Sequence, residues 1–207
     1  ARGLVPNFAG IDVYRGMLGE KGKKYTKSDV FGVHPKRKNQ FRSSSIYDIG
    51  GLKDYLLGHV DNQQGSSLVS TSTREGRARE FAISKDSSTQ GYMSKENMSF
   101  RRIYNPRKVE KLIHHLMERK GWSEAKSVQW FLENAKNKKI GFHMKRWMDE
   151  GSALQDAYSF EDEVGLLGKD AFAKSDNLAI ASRGVVPNFS NPLSNAIKRE
   201  KAAGVPS

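Results

Sequence analysis

Leu68-Val69-Ser70-Thr71-Ser72 is the stretch that decides the fold of this chain. Two apolar residues lead into three hydroxyl side chains, which is typical of a short strand with a polar end. The residues that follow, 73–83, place apolar and charged side chains at helical spacing. The sequence therefore predicts a strand over 67–72 that leads directly into a helix.

Alternating patterns predict further strands on both sides of this pair. Ile11-Asp12-Val13-Tyr14-Arg15 alternates apolar and polar side chains, as do residues 98–104. An acidic stretch, Glu161-Asp162-Glu163, runs into the apolar Val164-Gly165-Leu166-Leu167. We expect that run, and residues 178–182, to be strands as well.

Helical periodicity is clearest in the middle of the chain. Pro106 is tolerated at a helix start, Gly121 ends that helix, and Ser123 can cap the next one. A third helical stretch is predicted over 142–149, and a shorter helix within 43–60.

The remaining segments are predicted to be loops or tails. Residues 21–42 are strongly basic, 84–94 are rich in Ser and Gly, and 152–163 form a loop that enters a strand. A basic helical tail is expected over 193–203. Strands interrupted by one helical segment, 105–150, indicate an α+β domain with a helical insertion.

The composition excludes some classes of protein and favours polyanionic partners. The 207 residues carry 35 Lys and Arg against 23 Asp and Glu, a net charge of +12, and no Cys. Without Cys there are no disulfides or thiolate metal sites, and no apolar run is long enough for a membrane helix. Nucleic acid, acidic proteins or phosphorylated ligands suit the charge, although a basic surface with no specific partner suits it equally.

The two ends of the chain nearly repeat each other. Arg2-Gly3-Leu4-Val5-Pro6-Asn7-Phe8 differs from Arg183-Gly184-Val185-Val186-Pro187-Asn188-Phe189 only by Leu4 against Val185. We therefore divide the chain into a flanking repeat or linker at 1–9, a catalytic domain at 10–182, and a second repeat with a basic tail at 183–207. The repeats weakly resemble Val-Pro-Asn-Phe spacers of some large phage-encoded proteins.

Glu161 and Glu163 are candidates for acid–base chemistry. On a strand, two residues with this spacing would point to the same face. Paired carboxylates can stabilise a cationic sugar-like transition state with one group while the other handles a proton. Taken alone, the stretch is more simply read as a solvated acidic turn.

Hydroxyls and an arginine could complete such a site. Ser70, Thr71 and Ser72 could hydrogen-bond a catalytic carboxylate, or could end the strand and cap a helix. Arg15 could hold a pyrophosphate through two parallel hydrogen bonds, or could be an ordinary exposed strand arginine. Each motif is weak alone, and their joint occurrence in this order carries the argument.

The three motifs together resemble the Arg, Ser-Thr-Ser and Glu-x-Glu signature of cholera-toxin-like mono-ADP-ribosyltransferases. The resemblance spans about 11–182 and implies a split β-sheet core that binds NAD. It implies that Glu163 is the catalytic glutamate, that Glu161 orients or deprotonates the acceptor, and that Ser70 hydrogen-bonds Glu163. The long stretch between the second and third motifs departs from the pattern and leaves the target surface open.

The resemblance also implies residues for cofactor and target binding. The cofactor side would be formed by Arg15, Tyr14, Gly16, Ser70, Thr71, Ser72 and Tyr92. Tyr158 and Phe160 lie before Glu161, where the family has its target-recognition turn, although Phe160 could instead face the core. His114 and His115 are adjacent on a helix and diverge, so no metal site is expected.

These observations predict an NAD-dependent mono-ADP-ribosyltransferase with a side activity that hydrolyses NAD. Arginine of a target protein is the expected acceptor, with RNA or DNA as an alternative. A monomer that is secreted or delivered into a target cell, toxin-like or phage-borne, is expected, without membrane insertion. The competing interpretation is a non-enzymatic module that binds nucleic acid through residues 21–42 and the helix at 107–120.

Overall fold

The computed structural model describes residues 10–19, 45–61, 68–83, 91–138, 140–167 and 178–181. The predictions made for the end repeats, the basic loop at 21–42 and the tail at 193–203 lie outside these residues. The described part divides into two compact units. The first contains residues 10–12, 45–61, 68–73 and 97–167, and the second contains 13–19, 74–83, 91–96 and 178–181.

The described residues combine helices with strands, which confirms the prediction of a mixed fold. The strands are β1 (Gly10–Leu18), β2 (Val69–Ser72), β3 (Gly91–Ser99), β4 (Ile103–Tyr104), β5 (Ile140–His143), β6 (Glu163–Leu167) and β7 (Leu178–Ala181). The α-helices are α1 (Ile49–Asp61), α2 (Glu75–Ala82), α3 (Pro106–Lys120), α4 (Glu124–Asn137) and α5 (Ala153–Ser159). Two 3₁₀ helices span Phe100–Arg102 and Met144–Trp147.

In the first unit, the neighbouring strands run in the order β4-β5-β6-β2. β2 and β5 each pair antiparallel with β6, whereas β4 and β5 pair in parallel. A parallel pair needs a long crossover, and helices α3 and α4 supply it. The helical segment predicted over 105–150 is therefore interrupted by a sheet strand, β5, and its helices connect two neighbouring strands.

The main hydrophobic core lies in the first unit. Helix α1 contributes Leu52 and Leu56, and α3 contributes Val109 and Ile113. The remaining buried members come chiefly from α4, from β5 and from the 3₁₀ helix after it: Val128, Phe131, Leu132, Ala135, Ile140, Phe142, Met144, Trp147 and Met148. The crossover helices thus form part of the core that supports the sheet.

Local signals explain why α3 begins and ends where it does. Asn105 accepts a hydrogen bond from the Lys108 backbone N–H at 2.8 Å, and Pro106 occupies the first turn. Gly121 closes the helix in a left-handed conformation, with φ of 64°. Ser123 then caps α4 through the Lys126 N–H at 3.2 Å. The predicted start and end of α3 and the predicted start of α4 are confirmed.

Four local predictions are wrong. The strand predicted over 98–104 is interrupted by the 3₁₀ helix Phe100–Arg102, which separates β3 from β4. The stretch 142–149 is the end of strand β5 followed by a 3₁₀ helix, and 152–163 contains helix α5 before the turn into β6. The loop predicted over 84–94 gives way to strand β3 at Gly91, where Tyr92 is paired with β7 and buried. Pairing with neighbouring strands determines the conformation of β5 and of the start of β3. The periodicity of a single sequence carries no information about such pairing.

The second unit places helix α2 directly against strand backbones. A Cβ added at Gly16 of β1 would lie 1.8 Å from the Ala78 carbonyl oxygen. A Cβ added at Gly91 of β3 would lie 1.6 Å from that of Ala82. Neither position can hold a side chain without moving the helix. Ala78, Ala82 and Met93 form the buried cluster of this unit.

Candidate functional site

The pairing of β2 with β6 brings two of the sequence motifs together. Ser72 lies opposite Glu163, Thr71 opposite Val164, and Ser70 opposite Gly165. Because side chains alternate along a strand, Ser70, Ser72 and Glu163 share one face of the sheet. The predicted association of the Ser-Thr-Ser and Glu-x-Glu motifs is therefore present in the first unit.

A buried histidine joins Ser70 to Glu163. His59, near the end of α1, places Nε2 2.9 Å from the Ser70 Oγ and 3.2 Å from the Glu163 Oε1. His59 is 1% exposed and Glu163 is 3% exposed. The carboxylate is thus held in a fixed position, shielded from water, by an imidazole that sequence analysis did not identify.

The arrangement differs from that of a hydrolytic triad. In such a triad one imidazole nitrogen faces the nucleophile and the other faces the carboxylate. Here both Ser70 and Glu163 contact the same nitrogen, Nε2, and among the described residues Nδ1 of His59 has no hydrogen-bond partner. Ser70 is therefore not activated in the manner of a serine hydrolase, and the cluster positions Glu163.

Glu163 keeps one oxygen unused. Its Oε2 is buried and makes no hydrogen bond to any group that the structure describes. A buried carboxylate oxygen without a partner is costly, and a catalytic role is one of the reasons for which native structures keep such an atom. This oxygen is the group in the cluster that can face a developing positive charge or a hydroxyl.

The turn before Glu163 is held by Asp162. Asp162 has a positive φ of 44° and accepts hydrogen bonds from His143 Nε2 at 3.0 Å and from Thr73 Oγ1. Lys145 Nζ lies 3.1 Å from the same carboxylate. Burial alone would raise the pKa of Asp162, but the bonds from Thr73, His143 and Lys145 outweigh it and hold that pKa well below its usual range.

Glu161 lies on this turn and not on the strand. β6 begins at Glu163, and the Glu161 backbone N–H donates to the Tyr158 carbonyl at 3.0 Å. Ser72 Oγ donates to the Glu161 carbonyl at 2.6 Å. The expectation that both glutamates lie on a strand is therefore wrong, because Glu161 precedes β6 on the turn and the left-handed Asp162 lies between them. Glu161 is half-buried, whereas Glu163 is buried.

Tyr158 and Phe160 flank the turn in different environments. The Tyr158 hydroxyl lies 3.4 Å from the Val60 carbonyl oxygen. Burial, followed by the charges of Glu163, Glu161 and Asp61, raises the pKa of Tyr158 to about 12, so the hydroxyl stays protonated. Phe160 is 60% exposed, which contradicts its alternative assignment to the core and leaves it accessible to a partner.

The remaining predicted site residues lie in the second unit. Arg15 is a half-buried residue of β1, and Tyr14 packs against the cluster around Met93. Gly16 is required by the close approach of α2, which accounts for it without a cofactor. Tyr92 is 8% exposed. The structure thus brings Ser70, Ser72, Glu161 and Glu163 together within the first unit.

Two contributors to the site escaped the sequence analysis. His59 continues the buried spacing of Leu52 and Leu56 along α1, so a histidine on an apolar stripe was the available signal. Asp162 gave no signal of its own, because its role depends on residues 73, 143 and 145, which are distant in sequence.

No family model, curated protein or solved structure matches this chain. In the described ranges, no helix is long and apolar enough to cross a membrane. Within the same residues, no group of three or more His, Cys, Asp or Glu side chains is placed to hold a metal ion.

Proposed function

We propose that this chain is an NAD-dependent mono-ADP-ribosyltransferase with an ADP-ribosyltransferase-like split sheet. The observation that carries the proposal is Glu163, a buried carboxylate at the start of β6 that His59 links to Ser70 and that keeps Oε2 unpartnered. The order of the Arg, Ser-Thr-Ser and Glu-x-Glu motifs supports it.

In this proposal Glu163 stabilises the charge that develops as the nicotinamide–ribose bond breaks. Nicotinamide leaves with the bonding electrons, and the ribose passes through an oxocarbenium-like state. A carboxylate held in a dry site without rearrangement interacts strongly with such a charge. His59 and Ser70 keep the carboxylate oriented.

Glu161 has a separate role in the transfer step. It lies on the turn, half-buried, beside the exposed Phe160. We assign it to orient the acceptor and take its proton as the acceptor nitrogen bonds to the ribose. A carboxylate suits a guanidinium, so protein arginine is the proposed acceptor. Water in place of the acceptor gives NAD hydrolysis.

Labelled NAD, with the guanidine compound agmatine as acceptor, tests the proposal. Glu163→Gln should reduce nicotinamide release at least about 100-fold, since one isosteric change removes the stabilising charge. The matched variant Glu161→Gln should lose transfer to agmatine but retain hydrolysis of NAD.

Two controls make the outcome decisive. Both variants should melt within a few degrees of the parent chain, which excludes unfolding as the cause. If the parent chain releases no nicotinamide with agmatine, protein lysate or RNA present, and NAD does not raise its melting temperature, the transferase assignment is wrong.

A further inference from the structure

The opposite face of β6 borders a cavity that the proposed reaction does not use. Val164, whose side chain points away from the Glu163 face, lines a cavity of about 630 Å³ within the first unit. Its volume is in the usual range for small-ligand sites, roughly 300–1,000 Å³. Ile11 and Ile103 provide further apolar wall, and Phe100 lies at the cavity with 53% of its surface exposed.

The polar lining of this cavity is cationic. Arg107, Arg146 and His143 line it, and among the described residues no acidic side chain does. Arg107 and Arg146 are both exposed, and in the described part of the chain neither forms an ion pair with a carboxylate. Their charges are available to an anion, whereas His143 is bonded to Asp162.

Lys108 also lines the cavity but is already engaged. Its ammonium donates to the carbonyl oxygens of Phe100, Arg101 and Ile103 at 2.8, 2.9 and 2.8 Å. Burial lowers the pKa of Lys108 from its ordinary value. It therefore holds the chain segment that presents Phe100, and the anion-binding charges are those of Arg107 and Arg146.

Further cations extend beyond the cavity. Arg101 and Arg102 are exposed beside Phe100, and Lys111 is exposed one helical turn after Arg107. A free nucleotide would need only the cavity itself. Exposed positive charges on residues neighbouring the cavity lining suit a chain of phosphates, as does the net charge of +12.

We propose that this cavity binds single-stranded nucleic acid, with a base against Phe100 and the flanking phosphates on Arg107 and Arg146. An exposed aromatic side chain beside unpaired arginines is the combination that single-strand binders use. The site is independent of Glu163, so it stands whether or not the chain transfers ADP-ribose.

Fluorescence anisotropy with a fluorescein-labelled 15-nucleotide oligo(U) and its oligo(dT) counterpart tests this proposal. The double variant Arg107→Ala/Arg146→Ala should weaken binding about tenfold or more at 0.1 M salt. The matched control Arg119→Ala/Lys120→Ala removes the same charge from the far end of the same helix, where both side chains are exposed. It should change binding by less than about twofold.

Two further measurements separate binding of the oligonucleotide at the cavity from its general electrostatic attraction to the basic chain. The salt slope of binding should fall by about 1.4 in the cavity variant, since each lost phosphate contact removes about 0.7 for a single strand. Phe100→Ala should weaken binding at least about fivefold while leaving that slope unchanged. Equal losses in the cavity variant and its control would overturn the proposal, as would unchanged binding in both.

Competition with free nucleotides distinguishes a site for a nucleic-acid strand from a site for a single nucleotide. ADP or NAD should fail to displace the labelled strand at equal nucleotide concentration, because neither reaches the flanking cations. Displacement by either compound would assign the cavity to a free nucleotide and overturn the proposal. Melting temperatures equal to that of the parent chain confirm that each variant is folded.

Discussion

On one face of β6, Glu163 lies against His59 with 3% of its surface exposed; on the other face, Val164 lines a cavity of about 630 Å³ with arginines at its edge. The first face holds one buried negative group against a histidine, and the second presents exposed positive groups. Glu163 and Val164 are consecutive residues of the strand. The comparison teaches that a single strand can hold a buried carboxylate on one face and border exposed cations on the other, without their charges neutralising each other.

The largest expected effect on the free energy of unfolding is at His59, which pairs with the buried Glu163 on the first face of β6. In His59→Leu, the carboxylate of Glu163 remains buried without its imidazole partner, so we expect a loss of about 3 kcal/mol in the free energy of unfolding. Urea denaturation measures it. The double variant His59→Leu/Glu163→Leu should be more stable than His59→Leu alone, because it buries no charge. A double variant less stable than the single one would contradict the assignment of a buried, paired carboxylate.

The next largest effect is expected at Asp162, which lies at the junction of the two faces. Asp162→Ala loses the bonds from Thr73, His143 and Lys145 and places alanine at a positive φ, so we expect a loss of about 2 kcal/mol. Asp162→Asn keeps an acceptor oxygen and tolerates that conformation, so about 1 kcal/mol is expected. Thermal unfolding of both variants checks the order, and equal losses would show that the charge alone matters.

Acid should weaken the turn through the same carboxylate. The pKa of Asp162 is lowered in the folded state, so its contribution to stability is complete above the ordinary value of 3.8 and is lost as pH falls below it. Unfolding measured between about pH 5 and pH 2 should therefore show a shallower decline for Asp162→Asn than for the parent chain. Parallel curves would mean that the carboxylate is not stabilised as its contacts imply.

The smallest effect on stability is expected on the cavity face. Arg107→Ala and Arg146→Ala remove exposed side chains without carboxylate partners, so each should change the free energy of unfolding by less than about 0.5 kcal/mol. Chemical denaturation checks this. A loss above 1 kcal/mol would show that these arginines support the fold, and the contrast between a structural face and a binding face would fail.

Local signals made part of the fold predictable. Asn105, Pro106 and Gly121 mark the ends of α3 through their own backbone preferences, and these marks need no knowledge of the rest of the chain. The strand over 69–72 was predictable for the same reason.

Where local sequence signals are weak, pairing with neighbouring strands determines the conformation of a segment. β5 consists of four residues, and its neighbours β4 and β6 determine its conformation. Helix α5 was missed although Ser152 accepts from the Gln155 N–H at 3.1 Å and Gln155 accepts from the Gly151 N–H at 2.9 Å. This Ser-x-x-Gln pattern is close to a capping box and could have revealed the helix.

Only part of the candidate site was predictable from the sequence. Ser70 and Glu163 were identified from their motifs, and strand pairing brings their side chains to one face. His59 and Asp162 enter only through contacts across long sequence separations, 104 residues in the case of His59 and Glu163. The prediction that both glutamates lie on one strand is wrong, because β6 begins at Glu163 and Glu161 lies on the turn before it.

Gly16 and Gly91 limit which amino-acid substitutions the second unit can accept. They are 75 positions apart in the printed numbering, yet each meets a carbonyl oxygen of α2, at Ala78 and Ala82, one helical turn apart. The spacing between helix and strands is therefore set by backbone atoms in direct contact, with no side chain whose size could be adjusted. Substitutions elsewhere in a core can be offset by a neighbour that grows or shrinks. Here no such exchange exists, so any homologue of this unit should keep both glycines or change the path of the helix.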